Sequence, residues 1–383
     1  MINVNQQALL ELLKASLFGV EPCFPEGIDW DAVLQEAKDQ AVVGLTAPAV
    51  PGEEAEKWRV PATRNKMRFF QILDEQTNLV NLFQNAGIPL TILKGCAAAM
   101  YYPEPLQRTM GDIDFIVPPE CFEDARRLMT DNGYVFDHDE GDDREYSYKK
   151  SNILLELHHR YSDEGWNIEP LIMDGLAHSV MFEMYGKEIP VLPPEVNGLV
   201  LLDHIRHHLR WGLGIRQIID WMMFLHSFPG DNVWEQRFAP LVREAGLEKL
   251  AATVTKMCCL WFGLSDEITW CDHADDDSVQ DLLEIVFQFG NFGRKAWKDD
   301  HPVDAVTVNI RRKGFFRYLQ TAGESNWKAC QKHKILRPFA WLYQIFYYAG
   351  KGITALFHGN RIVSDYERGK KRSDFLKDIG IDK

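Results

Sequence analysis

The run Gly111-Asp-Ile-Asp-Phe-Ile-Val117 carries the densest chemical signal in this 383-residue chain. Asp112 and Asp114 are two apart in an apolar β-type segment. Side chains alternate along a strand, so both carboxylates leave on one side while Ile113 and Phe115 face the other. Two carboxylates held together on a rigid element repel unless something positive lies between them. A hard divalent cation, which prefers oxygen ligands, is the usual partner. Gly111 lets the backbone come close to whatever binds there. A second run, residues 153–159, puts Glu156 and His158 on one face with Leu155 and Leu157 on the other. A strand pairing of the two runs would make Glu156 a third carboxylate. Three carboxylates can hold two magnesium ions, one for an attacking hydroxyl and one for a triphosphate and its leaving group. Lys94-Gly95-Cys96 enters a helix whose N-terminal amides could cradle phosphates, with Lys94 and Arg108 as nearby cations.

These residues need strands to hold them and helices to cover the strands. Apolar periodicity predicts helices over 9–17, 30–43 and 62–85, the last ended by Gly87. Composition then changes. Strands are expected at 88–93, 112–117, 134–137, 145–149 and 153–159, the last two joined by Lys150-Ser151-Asn152 as a hairpin turn. Helices are expected at 96–102 and 119–132. From residue 195 onward the pattern is helical, with 199–225, 234–245, 247–262, 279–289, 315–322 and 338–357 as the segments. The charged end, 365–383, reads as loosely ordered.

Taken together, several segments resemble one family. Leu93-Lys94-Gly95, the helix at 97–99 and Tyr101-Tyr102-Pro103 come first, then Arg108-Thr109-Met110-Gly111-Asp112-Ile113-Asp114 and Leu155-Glu156-Leu157-His158. They are similar to the uncharacterised bacterial nucleotidyltransferases of the polymerase-beta-like superfamily. That pattern is a Gly-Ser turn heading a helix, a later strand with two acids two apart, and a third acid on a following strand. The resemblance implies that Asp112, Asp114 and Glu156 are the catalytic, metal-binding acids. Gly95 matches the turn glycine, and Lys94, Arg108 and Gly111 fall where a triphosphate would be held. Cys96 departs from the pattern, standing where the superfamily usually has serine, and fifteen residues separate it from Asp112. A weaker match runs on through His204, His208, Arg216 and Asp220, implying a helix that closes over the site.

The implied fold is α+β: a small mixed-sheet nucleotidyltransferase core flanked by N-terminal helices and a larger C-terminal helical region. Its expected divisions are 1–86, 87–195, 196–364 and a charged tail at 365–383. The implied reaction uses Mg2+ or Mn2+ to move a nucleoside monophosphate from an NTP such as ATP to a hydroxyl or phosphate acceptor, releasing pyrophosphate. The acceptor is a small molecule or a protein. Two alternatives stand beside it: a catalytically degenerate member that binds a nucleotide or partner, and an enzyme that nucleotidylates proteins.

The remaining signals set bounds. The net charge of −14 argues against general nucleic-acid binding. It is unevenly spread: 16 Lys/Arg against 6 Asp/Glu from Arg311 onward give about +10, leaving about −24 on the first 310 residues. That basic end could meet a polyphosphate, RNA, an anionic membrane or an acidic partner, although a solvated helical surface is the simpler account. Seven scattered cysteines without a CxxC pair fit free thiols in a reducing cytoplasm. No signal peptide is evident, and 338–357 is too interrupted for a transmembrane span. His204 and His208 share a helix face but lack an acid between them, so a hydrogen-bonded packing pair is expected rather than a metal pair. Arg216 and Asp220 read either as an intrahelical ion pair or as substrate contacts. The acidic stretch at 271–277 reads as an exposed loop.

Overall fold

Period-two alternation in the acid-bearing runs is realised in a seven-stranded mixed sheet of order β3-β4-β5-β2-β1-β7-β6. The computed structural model describes residues 2–139, 144–162, 167–209, 212–295, 303–356 and 361–381. The strands are β1 (Thr91–Leu93), β2 (Ile113–Ile116), β3 (Val135–Asp139), β4 (Glu145–Lys150), β5 (Ile153–His158), β6 (Val180–Met184) and β7 (Lys187–Val191). β2 pairs with β5 and β1 with β7 in parallel; the other neighbours are antiparallel.

Helices α1 (Val4–Phe18), α2 (Trp30–Asp39) and α3 (Val43–Thr46) come first. Asn3 caps α1 through a reciprocal box with Gln6, and Asp29 caps α2, satisfying amides that would otherwise be orphaned. The long α4 (Ala55–Asn85) lies on the sheet, where Phe69, Ile72, Leu73, Leu79 and Phe83 form a core with Ile113, Phe115, Leu155 and Leu157. This helix begins seven residues earlier than its periodicity suggested and carries Pro61 inside it. α5 (Gly95–Ala99) and α6 (Phe122–Asp131) are short. After α7 (Ile168–Leu176) the chain is helical from α8 (Pro194–His208) onward. α1 to α3 share one large core with α8, α9 (Ile215–Ser227), α11 (Ala239–Glu244), α12 (Glu248–Met257) and α13 (Asp276–Phe289). Between α9 and α11 lies the single turn α10 (Asp231–Val233).

Three expectations need correction. The helix expected over 199–225 is two helices, α8 and α9. A Cβ at Gly212 would lie 2.1 Å from the Gly293 nitrogen, and one at Gly214 would lie 2.6 Å from the Asn291 Cα. The 212–214 turn therefore lies directly against the 291–293 backbone, and only glycine fits there. The β6–β7 hairpin was not expected. It turns through Tyr185 and Gly186 at φ +49° and +73°, the paired left-handed conformation of a two-residue hairpin turn. The charged end is not loose: after α14 (Val303–Lys313), α15 (Phe315–Asn326), α16 (Lys328–Lys332) and α17 (Ala340–Leu356), the chain finishes in α18 (Arg361–Asp378). Phe375, Leu376, Ile379 and Ile381 are buried in the large core, and Arg372 donates to the Leu209 carbonyl. The acidic stretch at 271–277 ends by capping α13, where Asp275 accepts from the Ser278 amide. No helix among the described residues is long and apolar enough to cross a membrane.

Candidate active site

Alternation along β2 and β5 sends Ile113, Phe115, Leu155 and Leu157 under α4 and leaves Asp114, Glu156 and His158 on the opposite face. The parallel register places Asp114 directly beside Glu156. That face floors a cleft of about 620 Å³, and Asp112, one residue ahead of β2, lines the same cleft. Ligand atoms of Asp114, Glu156 and His158 all lie within 4.8 Å of one another. Asp112 is outside this tight trio, so the closest donor set is two acids and a histidine rather than three acids. His158 Nε2 stands 3.4 Å from Asp114 Oδ1 and 4.0 Å from Glu156, while its Nδ1 is 3.2 Å from Glu145.

The trio is electrostatically uneven. Burial opposes the Asp114 charge, but Lys94 Nζ at 2.8 Å and His158 hold its carboxyl well below the usual range. Burial and the neighbouring Asp114 push both Asp112 and Glu156 upward. Carboxylates that resist ionising together, with a hard oxygen-rich donor set, fit a divalent cation. Lys94 is itself in an unusual conformation, at φ +49° and followed by Gly95 at +36°. Strain of that kind persists where the surroundings impose it, here at the turn that aims the ammonium at Asp114.

The opposite wall comes from the helical region. α8 supplies Asp203, His204, Arg206, His207 and His208, and α9 supplies Arg216. His204 and His208 pack ring to ring at 4.5 Å, and burial, with cations nearby, keeps both imidazoles neutral at ordinary pH. Phe292, itself at φ +55°, sets its ring 4.8 Å from His208 and 5.5 Å from the Arg216 guanidinium. Arg216 donates to the Thr109 carbonyl at 3.0 Å, and its buried Nε has no partner among the described residues.

Arg108 lines the cleft but is committed to an ion pair: it is 2% exposed, and its Nε and one terminal nitrogen bind Asp220 at 2.7 Å each. Asp220 also accepts from the Tyr102 hydroxyl at 2.6 Å. Asp220 thus pairs with a residue 112 positions away rather than with Arg216 on its own helix. This buried triad ties the loop before β2 to α9. Cys96 lies buried in the core beneath α4, its thiol pushed up to about 12 by burial, and not in the cleft wall. Gly95 lines the cleft, and a Cβ at Gly111 would meet nothing within 4 Å among the described residues.

Sequence reasoning passed over Glu145, Asp203, Arg206 and Phe292, and it left Arg312 and Lys313 as general surface charge. All six line the cleft. The dense Asp-His-Ile-Arg-His-His run at 203–208 was the available signal for α8. Nothing local marks Phe292, whose place depends on the break at 212–214.

A mixed sheet thus turns an acidic face toward a cleft walled by cations. Residues 26–263 match the family of uncharacterised nucleotidyltransferases, and the chain belongs to that family. No curated protein matches it. Among solved structures it is similar to the antibiotic-resistance factor ANT(2")-Ia in complex with adenylyl-2"-tobramycin. Identity there is 15% over 43% of this chain and 93% of that one, with a TM-score of 0.31. It is also similar to the lincosamide adenylyltransferase LnuA bound to lincomycin, at 15% identity over 38% and 92%, TM-score 0.29. A nucleotidyltransferase-like protein from Paracoccidioides brasiliensis gives 16% identity over 53% and 96%, TM-score 0.35.

Proposed function

We propose that this enzyme moves a nucleoside monophosphate from an NTP to a hydroxyl or phosphate oxygen of an acceptor and releases pyrophosphate. The carrying observation is the gathering of Asp114, Glu156 and His158 within 4.8 Å on the floor of a cation-walled cleft. Asp112, Asp114 and Glu156, with His158 beside them, would hold Mg2+ or Mn2+. When bound, such an ion neutralises triphosphate charge and acidifies an attacking hydroxyl. Lys94, the Gly95 turn and the open backbone at Gly111 hold the triphosphate. Arg108 and Arg216 add cations to the cleft wall, the Arg216 Nε having no partner among the described residues. In the transfer the acceptor oxygen bonds to the α-phosphorus as the bond to the bridging pyrophosphate oxygen breaks. Where the acceptor is a hydroxyl, its proton passes to the Glu156 carboxylate; a phosphate oxygen attacks as the anion and needs no base. His204 and His208, neutral and packed together, shape the acceptor side of the cleft.

The catalytic core in this reading is residues 87–195, with 196–364 setting acceptor choice. Seven free thiols support a cytoplasmic setting. Pyrophosphate release from each NTP with Mg2+, followed by mass spectrometry of small-molecule and protein acceptors, tests the proposal. Mg2+-dependent pyrophosphate release that Asp114→Ala abolishes is the expected result. Absence of both pyrophosphate and Mg2+-dependent NTP binding would overturn it. NTP binding without turnover would instead mark a degenerate binding protein.

A further inference from the structure

The hairpin of α15 and α17 is settled on its inner side and bare on its outer side. Inside, a Cβ at Gly323 would sit 1.9 Å from the Ala340 carbonyl oxygen, so the two helices meet backbone to backbone. Outside, Phe339, Leu342 and Phe346 recur at helical spacing, 55%, 36% and 73% exposed, with Ile345 beside them. Phe315 and Phe316, 52% and 69% exposed, extend this surface, the Phe316 ring lying 6.2 Å from Trp341. Single exposed apolar residues need no explanation, but here eight of the chain's 21 described large exposed apolar side chains fall within residues 315–347.

The same segment holds five Lys/Arg and one acid, Glu324, whereas the first 310 residues carry about −24. Arg317, Lys328 and Arg337 are exposed along it. Aromatic rings fringed by cations are what an interfacial helix brings to a negatively charged bilayer. The acidic remainder of the molecule would be repelled by that bilayer, which fixes the orientation. A two-fold dimer through this face would instead set each basic fringe against its copy.

We infer that this face docks the protein on an anionic phospholipid surface. The helices lie on the bilayer rather than across it, in keeping with the lack of any described spanning helix. Arg312 and Lys313, just ahead of Phe315 in the chain, line the cleft.

The test is co-sedimentation of the full chain with phosphatidylcholine vesicles, with and without phosphatidylglycerol, across a salt series. The expected result is binding to the anionic vesicles alone, weakened by salt. Phe316→Ser with Phe346→Ser should abolish it with an unchanged circular-dichroism melt. Arg317→Gln and Arg337→Gln should each lower the partition coefficient roughly five-fold. No sedimentation at low salt, or equal binding to neutral vesicles, would overturn the inference. So would a dimer in light scattering that Phe346→Ser converts to monomer, which would assign the face to a second copy.

Discussion

Asp114 and Glu156 are neighbours in register yet titrate in opposite directions, Asp114 held ionised by Lys94 and Glu156 pushed toward its neutral form. A bound divalent ion would relieve that conflict. The folded pKa of Glu156 and of Asp112 lies above the unfolded value of roughly 4. The metal-free protein therefore loses stability as pH rises from about 4 through the folded pKa, because the native state must ionise crowded acids. Ion binding needs those protons gone, so the rise in Tm produced by Mg2+ should be larger at pH 8 than at pH 5.5. Equal shifts in a thermal melt at the two pH values would refute this. Asp114→Asn and Glu156→Gln should each lower kcat by on the order of 10²–10³-fold, read as pyrophosphate release at saturating NTP. Cys96→Ser puts a hydroxyl into a closed core instead of beside a phosphate. It should cost about 1–3 kcal/mol in urea unfolding and leave kcat unimproved. The acids were legible because period-two alternation is written in adjacent residues. The partner of Arg108 was not, because Asp220 reaches it only through tertiary packing across 112 positions.

At the level of elements, the Arg108–Asp220–Tyr102 triad fastens the loop before β2 to α9, the two sides of the cleft. Arg108→Met strands a buried carboxylate and should destabilise the protein by about 3–5 kcal/mol. Adding Asp220→Leu should recover part of that loss, which a double-mutant cycle in urea would measure. Full additivity would show that the two side chains act separately. The core strands and α4 were readable from their apolar repeats. The β6–β7 hairpin was missed because its edge strand leaves Val180 and Met181 exposed, 44% and 50%, so no inward face stands out. α18 was missed because Lys370, Lys371, Arg372 and Asp374 dominate its composition, while its anchoring side chains cluster only at the end.

Over the whole molecule, the helical body closes the cleft that the sheet opens, and His204 and His208 are held neutral at that join. Their folded pKa values lie below the unfolded value of about 6.5. Stability is thus lost as pH falls below about 6.5, where the unfolded chain takes up protons that the folded chain refuses. His204→Gln with His208→Gln should flatten the decline in Tm between pH 6.5 and 5. An unchanged slope would place the acid sensitivity elsewhere. The parallel pairing of β2 with β5 has a bearing on synthesis as well. Asp114 and Glu156 are 42 positions apart in the chain and become neighbours only when that pairing forms. A nascent chain that has exposed the first two acids to the cell's magnesium holds half a binding site. If the site binds an ion as proposed, tight chelation would wait for that pairing, so ion capture would report when β2 and β5 have joined.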